Sequence, residues 1–173
     1  MANLSPAERE SVKTRLFRLA MNAYPIYFGT GGRVTFIASD WSEIHVRLKL
    51  SVWTRNYVGT LFGGSLFAAT DPFYMLMAMH QLGRNFIVWD KAAHIRFLRP
   101  GTGTACARLT LDPKLVEELK SQIEQSGELE REFTLTWTNT EGKPVAEIRR
   151  LLYFATREHY SRKRERRSSR EPR

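Results

Sequence analysis

The stretch from Gly59 to Met79 constrains the fold more than any other part of the sequence, because it is almost entirely apolar and contains one charged residue, Asp71. Its length, roughly 20 residues, would be enough to cross a membrane. A carboxylate followed by Pro72 at its middle argues against a spanning helix, since both are costly in a bilayer. We therefore predict no transmembrane segment, and a helix from Gly63 to Leu82 that the rest of one domain surrounds.

Asp71 and Pro72 leave two possibilities for this helix. The apolar spacing from Leu66 to Met77 is unbroken and favours one helix that crosses the proline with a kink. Alternatively, Asp71 is the N-cap of a separate helix whose first residue is Pro72. We expect the single helix.

Segments that alternate between apolar and polar residues flank this helix on both sides. The clearest covers residues 43–50, where every second residue is apolar. Such alternation is typical of a half-buried antiparallel strand. Similar segments elsewhere predict an α+β fold, in which an antiparallel sheet of about six strands wraps around one long central helix.

A further helix is predicted at the start of the chain. Ser5, Pro6 and Glu8 have the spacing of a capping box with proline in the first turn. Val12 and Leu16 then recur at helical spacing, which predicts that they face the core.

The formal charge of +9 is concentrated at one end of the chain. Residues 157–173 contain eight Arg or Lys and three Glu, with almost nothing apolar after Tyr160. We therefore predict a single folded domain over residues 1–156 and a basic, disordered tail over 157–173. A solubilising tail is favoured over nucleic-acid binding, although an interaction module that uses the tail to bind nucleic acid or an anionic membrane stays an alternative.

Cysteine and histidine usage adds two expectations. The single cysteine, Cys106, cannot form an internal disulfide, and the N-terminal residues lack the pattern of a secretory signal, which favours a cytoplasmic protein. No two of the four histidines have metal-ligand spacing, so no metal site is expected.

The segment Asn56-Tyr-Val-Gly-Thr-Leu-Phe-Gly-Gly-Ser-Leu-Phe-Ala-Ala-Thr-Asp71 resembles the motif that leads into the central helix of hotdog-fold thioesterases, especially those of the phenylacetate-pathway type. In that family an Asn and a Gly-Thr precede His-Gly-Gly, and an acidic residue follows in the helix. The segment Arg96-Phe-Leu-Arg-Pro-Gly101 resembles the strand end that comes next. The glycine-rich run with Asp-Pro is also similar to an uncharacterised thioesterase-like hotdog subgroup.

The resemblance implies a hotdog-fold acyl-CoA thioesterase with a site built from four residues. The backbone amides of Gly63 and Gly64 would stabilise the oxyanion, because glycine lets a substrate approach the backbone closely. Asp71 would act as the base or as the nucleophile. Asn56 would orient the substrate or a water molecule.

The resemblance also implies partners. Arg96 and Arg99 would contact the phosphates of coenzyme A, which is part of the substrate, and no other cofactor is implied. Sites of this family are shared between protomers, so a homodimer or a homotetramer is expected. One position departs from the family, since Phe62 stands where the family has the histidine before the glycine pair. A non-catalytic acyl- or acyl-CoA-binding protein is therefore an alternative to the enzyme.

Overall fold

The computed structural model describes residues 9–168. Its helices are α1 (Val12–Ala23), α2 (Pro25–Gly29), α3 (Gly63–Ala68), α4 (Phe73–Leu82), α5 (Pro113–Ser126) and α6 (Arg157–Ser168). Its strands are β1 (Gly32–Ile37), β2 (Glu43–Lys49), β3 (Phe86–Phe97), β4 (Thr104–Thr110), β5 (Glu128–Asn139) and β6 (Pro144–Thr156).

The strands form one antiparallel sheet in the order β1-β2-β4-β5-β6-β3. This confirms the predicted α+β class and the sheet of about six strands. Strand β2 alternates between buried and exposed residues as its sequence predicts. Strand β3 lies at one edge and pairs only with β6 among the described strands, which leaves a row of backbone groups along its other side unpaired.

Helices α3 and α4 lie against one face of this sheet, and their apolar residues form much of its core. Two buried aromatic side chains fix them there with their polar tips. Trp137 of β5 donates from Nε1 to the carbonyl of Leu66 at 2.9 Å, and the hydroxyl of Tyr74 donates to the carbonyl of Thr134 at 3.0 Å. Such bonds anchor the helices while leaving no buried donor unpaired at either ring.

The prediction of one helix from Gly63 to Leu82 is wrong, because the chain forms two helices separated at residues 69–72. Pro72 lacks an N–H and its ring clashes with the preceding turn, which explains the break. The N-cap alternative for Asp71 is also not observed, since Pro72 occupies the N-cap of α4 and no side chain caps that helix. None of the helices among residues 9–168 is both long and apolar enough to cross a membrane.

Helix α1 begins later than a start at Ser5 would place it. Its N-cap is Ser11, whose hydroxyl accepts from the Thr14 amide at 3.1 Å, while the Thr14 hydroxyl accepts from the Ser11 amide at 2.9 Å. This is a capping box. The box predicted from Ser5, Pro6 and Glu8 lies outside the described residues.

The predicted inward face of α1 is wrong. Val12, Leu16 and Leu19 are exposed, whereas Phe17 and Met21 pack against the core. The larger side chains on the neighbouring stripe of the helix remove more apolar area from water. Helical spacing located the helix but did not identify its buried face.

Residues 157–173 were predicted to be a disordered tail. Most of this segment is helix α6, so the prediction is wrong over the part that the structure describes. The ring of Tyr160 meets Trp89 of β3 edge-on, with 5.6 Å between centroids. Lys163 forms an ion pair with Glu128 of β5 at 2.6 Å. These contacts hold the helix against the sheet, and the remainder of the predicted tail lies outside the described residues.

Candidate functional site

The loop before α3 is closed by hydrogen bonds between Asn56 and Thr60. The Asn56 amide donates to the Thr60 carbonyl at 2.8 Å, the Thr60 amide donates to Asn56 Oδ1 at 2.9 Å, and Asn56 Nδ2 donates to Thr60 Oγ1 at 2.9 Å. Gly59 between them has φ 85°, a conformation that side chains with a Cβ rarely adopt. Both ends of the Asn56 side chain are therefore used to shape the loop that leads into the helix.

Gly63 and Gly64 are the first two residues of α3, and their backbone N–H groups have no acceptor among the described residues. The amides on either side are used. Phe62 donates to the carbonyl of Thr54 at 2.8 Å, and Ser65 donates to the carbonyl of Phe62 at 3.0 Å. The first turn of a helix leaves such donors without intrahelical partners, so two of them remain for a ligand.

Both glycines also allow an aromatic ring to lie directly on the backbone. A Cβ added at Gly63 would lie 2.6 Å from the ring of Phe97, and one added at Gly64 would overlap the ring of Phe62. Any larger residue would displace these rings. The glycine pair therefore allows this close approach of the two rings, in addition to leaving the two amides unpartnered.

A cavity of about 640 Å³ lies beside this helix start. Its walls come from the loop over residues 56–63, from Leu66 of α3, and from residues 97–101 after β3. A volume of this order suits a small-molecule ligand. The structure thus brings Asn56, Gly63 and an apolar surface together, whereas Gly64 is not among the residues that line the cavity.

Phe62 lies in the wall of this cavity and its side chain is 55% exposed. It occupies the position where the family carries histidine, and it offers no hydrogen-bonding group. At this position the site therefore has an apolar ring, and the hydrogen-bond donor beside it is the backbone amide of Gly63.

Asp71 lies in the break between α3 and α4, and it is not among the residues that line the cavity. Its side chain is 59% exposed, and Oδ1 accepts from Nη1 of Arg150 at 2.8 Å. The carboxylate is thus held by a fixed cation at the surface of the molecule. The predicted placement of Asp71 beside the glycine pair of a partner protomer stays a prediction.

Arg150 is a candidate functional residue that the sequence analysis missed. It points inward from β6 and its side chain is only 1% exposed. Its Nη2 donates to the carbonyl of Phe67 at 3.1 Å, the guanidinium lies 5.0 Å from the centre of that ring, and Nε has no partner within the described residues. The available signal was a charged residue in the apolar phase of a strand, between Ile148 and Leu152.

Asp90 of β3 faces the same guanidinium, with its Oδ1 3.9 Å from Arg150 Nη1. A bulge between Asp90 and Ala92 shifts the register of β3 at this point. Burial raises the pKa of Asp90 from 3.8 to about 6; the charge of Arg150 opposes this rise and the charge of Asp71 adds to it. We refer to Asp71, Asp90 and Arg150 as the carboxylate–arginine cluster.

Comparison with known protein families gives a match over residues 13–154, to the family described as Domain of unknown function (DUF4442). The chain belongs to this family. A comparison with curated proteins gave no match.

Solved structures resemble this DUF4442 protein along nearly their whole length. A Pseudomonas aeruginosa protein of unknown function, named a probable thioesterase, has a TM-score of 0.73 at 21% identity, covering 85% of this chain and 98% of its own. A thioesterase from Haemophilus influenzae has a TM-score of 0.60 at 14% identity, covering 87% and 94%. A mutant thioesterase from P. aeruginosa has a TM-score of 0.61 at 12% identity, covering 88% and 99%.

The DUF4442 chain therefore has the hotdog fold, with a curved antiparallel sheet packed on a helix, as the motif resemblance implies. The helix at its centre is interrupted rather than continuous. Its position on the sheet is nevertheless the one that the sequence predicts.

The two arginines predicted to contact coenzyme A occupy different environments. Arg99 lines the cavity, whereas Arg96 lies on the exposed part of β3. Neither forms an ion pair with a carboxylate of the described chain. Both cations are available to an anionic group, and their predicted role is not tested by these positions.

Over residues 9–168, no three side chains among His, Cys, Asp and Glu come close enough together to hold a metal ion. Cys106 is exposed on β4 and is not part of such a group.

Proposed function

We propose that this DUF4442 protein hydrolyses the thioester of an acyl-CoA. The observation that carries the proposal is the unpartnered amide of Gly63, which lines a cavity with largely apolar walls, followed along the helix by the unpartnered amide of Gly64. Two such donors stabilise the negative charge that develops on a thioester carbonyl oxygen during attack. The thioesterase names of several structural neighbours agree with this proposal.

The reaction assigns separate tasks to the amides and to Asp71. The oxygen of a water molecule attacks the carbonyl carbon while Asp71 takes its proton, and the carbonyl oxygen becomes the oxyanion that the amides stabilise. The C–S bond then breaks, and the leaving thiolate takes up the proton that Asp71 accepted from water, which restores the carboxylate. Direct attack by Asp71 would give an acyl anhydride that water opens, with the same products.

Within one chain the two parts of this machinery lie apart. Helix α3 has six residues, which corresponds to a length of about 9 Å, and Asp71 follows its end while the amides lie at its start. A second copy would therefore supply Asp71 to the cavity. Its natural docking site is the free edge of β3, where Phe97 and Leu98 are exposed beside the cavity.

The change Asp71→Asn tests the proposal. The amide keeps the shape of the carboxylate but cannot act as the base, so kcat should fall about 100-fold or more on a thioester that the parent hydrolyses. The protein should elute as a dimer or tetramer in gel filtration before and after the change. Glu141→Gln at the β5–β6 turn is the matched control, because that residue is exposed and is not among the residues that line the cavity.

A spectrophotometric panel of short, long and aryl CoA thioesters provides the substrates for this test. Equal kcat for Asp71→Asn and Glu141→Gln would show that Asp71 is not the base or the nucleophile. A monomer at micromolar concentration would contradict the shared site.

Phe62 supports a second candidate function, the binding of an acyl group or acyl-CoA without turnover. An apolar ring in place of histidine adds contact area to the cavity and removes a group that could position water. Saturable binding of a thioester analogue, with no release of thiol across the panel, would favour this function over hydrolysis.

A further inference from the structure

A second concave surface, separate from the cavity at α3, lies on the outer face of the sheet near the start of β1 and the end of β2. It encloses about 490 Å³ and is lined by Phe28, Gly31, Arg33, Arg47, Lys49, Ser51, Trp53 and Thr54. We call it the β1–β2 groove. No carboxylate is among its lining residues, and three of them carry positive charge.

The three cations of the groove are free of ion pairs. Arg33, Arg47 and Lys49 have no carboxylate within salt-bridge distance among the described residues. Arg33 is held in place because it donates to the carbonyl of Gly32 at 2.9 Å and stacks 4.6 Å from the centre of the Phe28 ring. The side chains of Arg47 and Lys49 are exposed and have no hydrogen-bond partner in the described chain.

The strand register places like charges directly opposite each other. Arg33 of β1 pairs with Arg47 of β2, and Lys49 follows on the same face of β2 two residues later. Like charges at facing positions of an antiparallel pair destabilise the sheet. An anion bound between them would convert this repulsion into charge-assisted hydrogen bonds, for which arginine is well suited.

Two aromatic rings complete the groove. Phe28 lies under Arg33, and Trp53, which is 90% exposed, also lines the groove. An indole left almost wholly in water offers a flat face on which a planar ring can stack. The backbone below is tightly built, because Gly31 has φ 77° and a Cβ there would overlap the methyl of Thr54.

We propose that the β1–β2 groove binds a phosphorylated nucleoside, with phosphate on Arg47, Arg33 and Lys49 and the base on Trp53. In an acyl-CoA this ligand is the 3′-phosphoadenosine diphosphate end, so this inference rests on the proposed function for its physiological source. The groove adjoins the cavity through the loop between them. Thr54 lines the groove, and its carbonyl accepts the amide of Phe62, which lines the cavity.

Calorimetric titration with adenosine 3′,5′-bisphosphate tests the binding site without any thioester chemistry. Arg47→Gln should weaken binding about tenfold or more, as expected for loss of a charged hydrogen bond. Trp53→Leu should weaken binding of the bisphosphate but not that of inorganic pyrophosphate, which has no ring. Arg131→Gln, which removes the same charge from exposed β5, is the matched control and should bind as the parent does.

Three outcomes would overturn the groove assignment. They are no binding of the bisphosphate at millimolar concentration, equal affinities for the Arg47→Gln and Arg131→Gln proteins, and an affinity that depends on Arg99 instead of Arg47. Full binding that survives Trp53→Leu unchanged would refute the stacking of the base.

Kinetics separate this inference from the proposed hydrolysis. Arg47→Gln should raise KM for an acyl-CoA and leave kcat/KM unchanged for the same acyl group on N-acetylcysteamine, which lacks the nucleotide. Bisphosphate binding without hydrolysis of either thioester would sustain the groove and contradict the proposed function. If both thioesters are hydrolysed and Arg47→Gln changes kcat/KM for them by the same factor, the proposed function would hold and the groove assignment would be wrong.

Discussion

The substitution Arg150→Met is the most direct test of the carboxylate–arginine cluster. It keeps much of the length and the apolar stem of the side chain and removes the guanidinium. Four interactions disappear with it: the ion pair to Asp71 at 2.8 Å, the hydrogen bond to the Phe67 carbonyl at 3.1 Å, the contact 5.0 Å from the centre of the Phe67 ring, and the only cation that faces the buried oxygen of Asp90 at 3.9 Å within the described chain.

The lost ion pairs and the lost hydrogen bond each have an expected size. Breaking a buried ion pair by removing one partner costs about 3–5 kcal/mol. The pair to Asp71 contributes at most about 1 kcal/mol, because that carboxylate is more than half exposed. The lost hydrogen bond contributes about 1 kcal/mol more. Since Asp90 can take up a proton, we expect a total near the lower limit, about 3 kcal/mol, or a fall in Tm of about 6–12 °C for a chain of this size.

The assay is urea and thermal unfolding of Arg150→Met beside Arg149→Met. Arg149 is the next residue of the same strand, is half exposed, and lies 3.7 Å from the exposed Glu132, so its loss should change stability by less than about 0.5 kcal/mol. Equal stabilities of the two variants would refute the assignment of Arg150 as the charge that balances the cluster.

The stability deficit should also depend on pH. Without Arg150, nothing opposes the effect of burial on Asp90, and its pKa should rise beyond 6. At pH 5 this carboxyl is protonated in both proteins, whereas at pH 8 the variant must ionise it without a cation. We therefore expect a larger deficit at pH 8, and adding Asp90→Asn should recover part of it. A deficit independent of pH would show that Asp90 is not coupled to Arg150.

Two further predictions concern the parent protein. Gly63→Ala should displace the Phe97 ring and lower kcat/KM about tenfold or more, because small errors in position at a reacting site are costly. Gly103→Ala, where a Cβ meets open space, should leave kcat/KM unchanged. Equal kcat/KM values for the two variants would show that the substrate does not need the close approach to the backbone at Gly63. The pKa of Asp90 is raised to about 6 in the fold against an ordinary 3.8, so its stabilising contribution is complete below pH 4 and is lost as pH rises through 6. Tm of the parent measured from pH 4 to pH 7 should therefore fall relative to that of Asp90→Asn, and parallel curves would refute the shift.

Local patterns in the sequence were sufficient for much of the architecture. Alternation over residues 43–50 predicted β2, because a half-buried strand needs an apolar residue at every second position. The glycine pair Gly63–Gly64 predicted a helix start with accessible amides, since a residue without a Cβ leaves its backbone accessible in any fold. Spacing alone could not identify the buried face of α1, because that face is decided by the core residues against which the helix packs.

The tertiary structure decided the chemistry around Asp71. Arg150 is 79 residues away along the chain, and only the pairing of β3 with β6 under α3 brings it and Asp90 to the same place. The sequence favoured a helix that crosses Pro72 with a kink, and the structure shows a break, because the outcome depends on whether packing against the sheet compensates the lost hydrogen bond. Likewise, the contacts that order α6 come from Trp89 and Glu128, which belong to distant strands. Local preferences fix which elements form, whereas the partner of a buried charge is set by long-range strand pairing that no short window of sequence contains.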